Sequence, residues 1–171
     1  MDEYITGTVL WRPYELTMVR AAGVSPEVEP ALADPGLPDD CHCMFVRDAA
    51  LELQARDLPC GPAVCLGVFE DGVNSYWLAI HSGEVWMAYG YDGGPQRFAL
   101  VNSSVGGLQR LLRLWDSFVR SGRSEDDEDY EDYVAELMLQ AQQQDPVAFG
   151  DEDGWWSRVL EEVELGVLGP E

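Results

Sequence analysis

Residues 63–101 read AVCLGVFEDGVNSYWLAIHSGEVWMAYGYDGGPQRFALV, and four short runs of this stretch are rich in Val, Tyr, Trp, Phe and Ile. Such runs favour β-strands, and the residues between them are typical of tight hairpin turns. The runs cover residues 63–70, 75–80, 84–90 and 96–101, and the turns fall at Asp71-Gly72, Ser82-Gly83 and Asp92-Gly93-Gly94. Three turns that join four strands predict an antiparallel meander.

The period of the apolar residues changes after this meander. Leu, Trp, Phe and Val side chains between residues 108 and 119 recur three or four positions apart, which predicts an amphipathic helix. Asn102, Ser103 or Ser104 can cap it, because short polar side chains accept hydrogen bonds from the first helical N–H groups. Two further helices are predicted, at about 129–143 and at about 154–165, the second ending at Gly166.

The chain before the meander is less regular. A helix is predicted at about residues 13–22, since proline suits an early helical position and Gly23 can end it. Four prolines between residues 25 and 38 exclude a long helix there and indicate a surface loop. Additional strands are expected around residues 44–46 and near Leu51.

Strands that cluster together and are followed by clustered helices indicate an α+β fold. We expect an antiparallel or mixed central sheet of about four to six strands, with one N-terminal helix and the C-terminal helices packed on it. A chain of 171 residues suits one domain, residues 1–171. Residues 1–3, Met-Asp-Glu, lack the basic and apolar regions of a signal peptide, so we expect a cytoplasmic protein.

The composition is strongly acidic. There are 32 Asp and Glu residues against ten basic residues, a formal charge of −22, and all ten basic residues are arginine. Such a charge repels nucleic acid and accelerates encounter with a cationic protein surface. Because the chain has no lysine, it holds no Walker A phosphate loop, no Schiff-base lysine and no kinase lysine. No apolar run approaches the ~20 residues of a transmembrane helix.

The negative charge is concentrated near the C-terminus, where residues 125–171 contain 16 acidic residues and one arginine. Eight consecutive positions there hold seven carboxylates, and we call residues 125–132 the acidic segment. Its acidic members are Glu125, Asp126, Asp127, Glu128, Asp129, Glu131 and Asp132. Two interpretations of the acidic segment remain open: a solvated loop that becomes the first turn of a helix, or a binding surface for a cationic partner. In either case nearby arginines can match some of the negative charge, namely Arg110, Arg113, Arg120 and Arg123.

The adjacent Trp155 and Trp156 point about 100° apart on a helix, so one can be buried while the other is exposed. We expect Trp156 in the core and Trp155 at the partner-binding surface.

Metal and catalytic sites find little support in the sequence. Neither the acidic segment nor residues 151–154 has the ligand spacing of an EF-hand calcium loop. The usual spacing of zinc ligands is also missing from the four cysteines, which are Cys41, Cys43, Cys60 and Cys65. We therefore expect the cysteines to pack in the core. His42 and His81 are the two histidines, and no hydrolase or deaminase motif surrounds His81, which suits a surface turn. We expect no metal, no cofactor and no catalytic residues, although hydrolysis by a carboxylate pair stays open.

Several short motifs follow one another in the second half of the chain. They are Ser82-Gly83-Glu84-Val85-Trp86, Val101-Asn102-Ser103-Ser104, Asp145-Pro146, Trp155-Trp156 and Val163-Glu164-Leu165-Gly166. In order and spacing they resemble the SUKH superfamily, specifically its fourth immunity-protein subgroup, over about residues 60–168. Gly36-Leu37-Pro38 adds a weaker similarity near the N-terminus.

This resemblance implies a bacterial, non-enzymatic antidote that binds and neutralises a polymorphic toxin domain, such as a nuclease or a nucleic-acid deaminase. Asn102 and Ser103 match the strand-to-helix signature of the family, where we expect them to act as helix caps. An acidic loop insertion at about residues 122–130 departs from compact family members. The alternative function is a carboxylate-dependent hydrolase or a metal-binding regulatory protein, and a third possibility is a scaffold of the same fold without a toxin.

Overall fold

The computed structural model describes residues 8–90 and 94–169. In chain order the helices are α1 (Leu16–Ala21), α2 (Glu29–Ala33), α3 (Val105–Ser121), α4 (Tyr130–Gln144) and α5 (Trp155–Glu164). The strands are β1 (Trp11–Arg12), β2 (Leu37–Pro38), β3 (Ala55–Leu58), β4 (Gly61–Val68), β5 (Ser75–Ala79), β6 (Val85–Tyr89) and β7 (Arg97–Asn102). A single 3₁₀ turn, Pro146–Phe149, connects α4 to the segment before α5.

The predicted meander forms the main sheet. Its order is β3-β4-β5-β6-β7 and every neighbouring pair is antiparallel, which confirms an α+β fold with a central antiparallel sheet. The register of β4 against β5 shifts between Cys65 and Gly67. Gly67 is required there, because a Cβ atom would lie 2.6 Å from the ring of Phe45. The predicted turn at residues 92–94 falls largely outside the described residues.

The helices cover one face of this sheet, which we call the inner face. Side chains of β4–β7 such as Leu66, Tyr76 and Met87 are fully buried there in one cluster with residues of all five helices. The opposite, outer face has a smaller cluster around Cys65, Trp77 and Ala88 that includes no residue of a described helix. Both faces of the sheet are therefore apolar.

The N-terminal third differs from the sequence prediction. The first helix begins at Leu16, three residues later than expected, and the proline-rich loop contains the short α2. Residues 44–46 do not form a strand; Val46 makes only isolated bridges to Asp40 and Val68, and residues 51–53 form a turn. The extra strand of the main sheet is β3, while β1 and β2 pair separately as a two-stranded ribbon. The pairing of β1 with β2 joins distant segments, which a local sequence pattern does not indicate, whereas β3 and β4 form a hairpin in which Leu58 pairs with Gly61.

The helix predicted at residues 108–119 is confirmed as α3. Ser104 caps it, since its Oγ accepts a hydrogen bond from the Gly107 N–H at 3.0 Å. α3 ends at Gly122, whose φ of 65° is the left-handed conformation that glycine adopts readily. α5 is likewise followed by Gly166 with a φ of 70°. Within the described ranges, no helix has the length and apolar character needed to cross a membrane.

Candidate partner-binding surface

The acidic segment lies on the surface between α3 and α4. Residues 122–129 form the connecting loop, and Glu131 and Asp132 belong to the first turn of α4. All seven carboxylates are exposed. Carboxylates in the first turn are stabilised by the positive end of the helix dipole, by ~0.3–1 kcal/mol each at low salt. The dipole therefore accounts for two of the seven charges, and the loop carries the other five.

Two of the loop carboxylates organise the loop itself. Asp127 accepts a hydrogen bond from the Ser124 N–H at 2.9 Å, and Asp129 accepts one from the guanidinium of Arg123. That ion pair lowers the pKa of Asp129. The guanidinium also lies over the ring of Tyr133, at 5.1 Å from its centre. Among the residues that the structure describes, the other five acidic side chains have no side-chain hydrogen-bond partner.

The remaining arginines named with this segment are engaged elsewhere. Arg120 pairs with Asp116 at 2.8 Å, and Arg113 lies over the ring of Trp11. Arg110 donates to the carbonyl oxygen of Gln144 at 3.1 Å. In the described part of the chain, Arg123 is thus the one arginine of the four that pairs with the acidic segment. Most of the negative charge of the acidic segment is therefore not matched by a cation of the described residues.

An exposed apolar pair borders the acidic segment. Leu165 and Val167 follow α5 and are 64% and 69% exposed. Gly166 between them lies against the side chain of Glu125, so close that a Cβ atom would meet its carboxylate at 2.2 Å. Residues 123–126 and residues 166–169 line a shared groove of about 320 Å³. Leu165 and Val167 are not among the residues predicted for the binding surface, although two large apolar residues on either side of a helix-ending glycine are visible in the sequence.

The two adjacent tryptophans have different environments. Trp156 is 3% exposed, as expected. Trp155 is half-buried, contrary to its expected exposure, because its ring packs edge-on against Phe69 and Tyr76 with centres 5.1 and 6.2 Å apart. It lies at the N-terminal end of α5, whereas the acidic segment adjoins the C-terminal end. The exposed part of Trp155 lines a separate cleft, together with Tyr89 and Arg158.

Three of the five motifs that carry the family resemblance meet in the interior, through Asn102, Asp145 and Trp156. The amide of Asn102 donates to the Asp145 carboxylate at 2.9 Å and accepts a hydrogen bond from the Trp156 indole at 3.1 Å. The Ser103 N–H donates to the same carboxylate at 3.0 Å. Asn102 and Asp145 are at most 1% exposed. The expectation that Asn102 and Ser103 cap α3 was wrong: Ser104 is the cap, and these residues tie β7 to the segment after α4.

The cysteines and histidines do not form a common site. Cys41 and Cys65 are buried, and burial raises the pKa of each thiol to about 12. Cys43 is exposed and Cys60 is half-buried. His42 contacts the Asp116 carboxylate at 2.7 Å, and His81 lies exposed in a turn. Across the described ranges, no three His, Cys, Asp or Glu side chains are grouped so as to hold a metal ion.

The described part of the chain thus combines an antiparallel sheet, helices packed on its inner face and an exposed acidic surface. The SUKH-4 immunity protein model matches residues 15–162. The chain therefore belongs to the SUKH-4 immunity protein family, which supports an immunity role and implies a cognate toxin as partner. No curated protein and no solved structure matches the chain significantly.

Proposed function

We propose that this protein is a non-enzymatic immunity protein that binds a basic toxin domain, a nuclease or a nucleic-acid deaminase, through the acidic segment. The observation that carries the proposal is the exposed, largely unmatched charge of residues 125–132. Five carboxylates that have no hydrogen-bond partner in the described chain repel one another, and a cationic surface relieves that repulsion.

The acidic segment would neutralise the toxin by occupying the surface that binds phosphates. A nuclease or deaminase presents arginines and lysines to its nucleic acid, and carboxylates on a folded loop compete for them with charge-assisted hydrogen bonds. The same field accelerates association, by ~10- to 1000-fold for steered encounters at low salt. A protein that must meet its toxin before damage is done benefits from a fast association rate.

Leu165 and Val167 supply the apolar part of the same surface. Interfaces combine a desolvated apolar centre with a polar rim, and charge alone contributes more to association rate and specificity than to affinity. The contact between Glu125 and Gly166 holds this apolar pair beside the carboxylates. We therefore expect the acidic segment to determine the association rate and the apolar pair to determine the dissociation rate.

The test is co-expression with the toxin-like protein encoded by the adjacent gene. The wild-type protein should co-purify with that toxin and protect the cells. A variant carrying Asp126→Asn, Glu128→Gln, Glu131→Gln and Asp132→Asn removes four charges but keeps the loop contacts of Asp127 and Asp129. It should bind the toxin with an association rate ~10-fold lower or more.

The control variant removes four charges elsewhere on the surface, by Glu15→Gln, Glu27→Gln, Asp34→Asn and Asp57→Asn. It has the same net charge as the first variant, so a difference between the two reports position. Equal association rates for the two variants would assign the acidic segment to a solvated surface without a partner. Absence of both a complex and protection by the wild-type protein would refute the immunity role itself.

A further inference from the structure

A cleft of about 530 Å³ lies between the main sheet and the start of α5. Its floor is the inner face of the sheet, where β5, β6 and β7 end or begin. Met87 is buried on that face, and Tyr89 follows it by two residues in β6, so both side chains point the same way. Arg97 is the β7 partner of Tyr89 and lies on the same face. Small-molecule sites typically enclose ~300–1000 Å³, so the cleft has the size of one.

Trp155 forms the opposite wall of the cleft. Its ring is half-buried, and its position is fixed by edge-on contacts with Phe69 and Tyr76, whose ring centres lie 5.1 and 6.2 Å away. A planar ligand can stack on such a ring without the cost of ordering a mobile side chain. The ring of Tyr89 adds a second aromatic surface to the lining.

The cleft also contains the two arginines of the chain that have no partner among the described residues. The other eight of the ten engage a hydrogen-bond acceptor or an aromatic ring, and they are Arg12, Arg20, Arg47, Arg56, Arg110, Arg113, Arg120 and Arg123. Arg97 and Arg158 both line the cleft, one from β7 and one from α5. In a chain with 32 acidic residues, two unengaged guanidinium groups at one place indicate a site for an anion.

The charged groups of the cleft surround the phenol of Tyr89. Burial raises the pKa of Tyr89, the Asp151 carboxylate raises it further, and Arg158 and Arg97 oppose the rise. The guanidinium groups and this carboxylate therefore lie within electrostatic reach of one hydroxyl group. Asp151 and Asp153 line the cleft, but in the described ranges neither forms an ion pair with the two arginines. A matching ligand carries an anionic group for the arginines and hydrogen-bond donors for the carboxylates.

We propose that this cleft binds a nucleoside monophosphate, with its phosphate between Arg97 and Arg158 and its base against Trp155. Guanidinium groups match phosphate oxygens in charge and geometry, and carboxylates accept hydrogen bonds from ribose hydroxyls. Inorganic phosphate alone would leave the aromatic wall uncovered. A longer nucleic acid would bring many more phosphates into the field of a chain with a formal charge of −22.

This site is separate from the proposed toxin-binding surface. The cleft adjoins the N-terminal end of α5, whereas the acidic segment adjoins its C-terminal end. Nucleotide binding therefore requires no toxin and can be measured on the protein alone.

The first measurement is isothermal titration calorimetry of the full chain with AMP, GMP, CMP and UMP. At least one of them should bind with a Kd below ~1 mM. The nucleoside with the same base lacks the phosphate, and inorganic phosphate lacks the base. Each of these two probes should bind at least ~10-fold more weakly than the nucleotide.

The second measurement compares variants that lose one positive charge each. Arg97→Gln and Arg158→Gln change exposed residues of the cleft, so both should fold, as circular dichroism will show. Each should weaken nucleotide binding ~10-fold or more, because a charge-assisted hydrogen bond to the phosphate is lost. Arg20→Gln is the matched control outside the cleft and should change the affinity by less than ~2-fold.

The third measurement locates the base by NMR. The indole N–H signal of Trp155, assigned by its loss in Trp155→Phe, should shift when the nucleotide is added. The signal of Trp77, which lies on the outer face of the sheet, should stay in place.

Several outcomes would overturn the site. They are no binding of any of the four nucleotides below ~1 mM, equal affinity for inorganic phosphate, affinity unchanged by both cleft arginine substitutions, and an unshifted Trp155 signal. Tighter binding of a single-stranded oligonucleotide than of the nucleotide would assign the cleft to nucleic acid and also overturn it. Co-purification with the toxin is independent of these results, so failure of this site and failure of the immunity role are distinguishable.

Discussion

Gly107→Ala should destabilise the protein, although alanine normally favours a helix over glycine. Gly107 lies in the first turn of α3, and a Cβ atom there would meet the Asp145 carboxylate oxygen at 2.2 Å. That carboxylate is 1% exposed and accepts hydrogen bonds from Asn102 and from the Ser103 N–H. The new methyl group must therefore displace a buried charged group from two partners.

The magnitude follows from opposing contributions. Hydrogen bonds to charged groups contribute ~1.5–3 kcal/mol each, so two at the low end amount to about 3 kcal/mol. Helix propensity offsets at most ~1 kcal/mol of this loss. We expect a net loss of about 2 kcal/mol, which lowers Tm by ~4–8 °C in a protein of this size.

The neighbouring glycine provides the matched control. At Gly106 a Cβ atom would meet the flexible end of Arg110 at 3.3 Å, so Gly106→Ala should leave Tm unchanged or raise it slightly. The assay is thermal and urea unfolding of both variants followed by circular dichroism. If Gly107→Ala is as stable as the wild-type protein, the buried Asn102–Asp145 contact does not hold β7 to the end of α4.

Two further predictions concern titratable groups. Arg123 lowers the pKa of Asp129, so this ion pair stabilises the folded protein above the usual aspartate pKa, and the stabilisation is lost as the pH falls through the lowered pKa. Arg123→Gln should therefore raise the Asp129 pKa in an NMR titration. An unchanged pKa would refute the pairing. Burial raises the pKa of Cys41 and Cys65 to about 12, so neither thiol is ionised or accessible in the folded protein at about pH 8. Ellman's reagent at this pH should modify the exposed Cys43 first, and Cys41 and Cys65 only after unfolding. Reaction of all four thiols at one rate in the native protein would contradict the described burial.

The local elements of the fold could be predicted from sequence because their signals are local. Turn residues divide the meander into strands, and helical spacing with a cap among residues 102–104 places α3 within a few residues. The pairing of β1 with β2 could not be predicted, since two residues at each end of a proline-rich loop carry no strand pattern. A strand was expected at residues 44–46, before the actual start of β3 at Ala55, because these residues are apolar. Met44 and Phe45 are apolar because they belong to the core, not because they form a strand.

The roles of individual site residues depend on contacts between distant segments. The position of Asn102 just before a helix predicts a helix cap. Its contact with Asp145, 43 residues later in the chain, shows instead that it belongs to the interior. Trp155 was expected at the surface from helix geometry alone, but its ring packs against Phe69 and Tyr76 and is half-buried. The acidic segment was recognised from charge, but the structure was needed to show that, in the described part of the chain, Arg123 is the one arginine of the four that pairs with it.

The association rate constant with the toxin, measured against ionic strength, tests the central claim most directly. Between ~0.01 M and ~1 M salt the screening length falls from ~30 Å to ~3 Å, which removes long-range steering. If the acidic segment meets the cationic surface of the toxin, the wild-type rate should fall by at least ~10-fold over this range, and the rate of the variant at Asp126, Glu128, Glu131 and Asp132 should fall much less. Equal salt dependence for the two proteins would contradict the proposal that this segment is the binding surface.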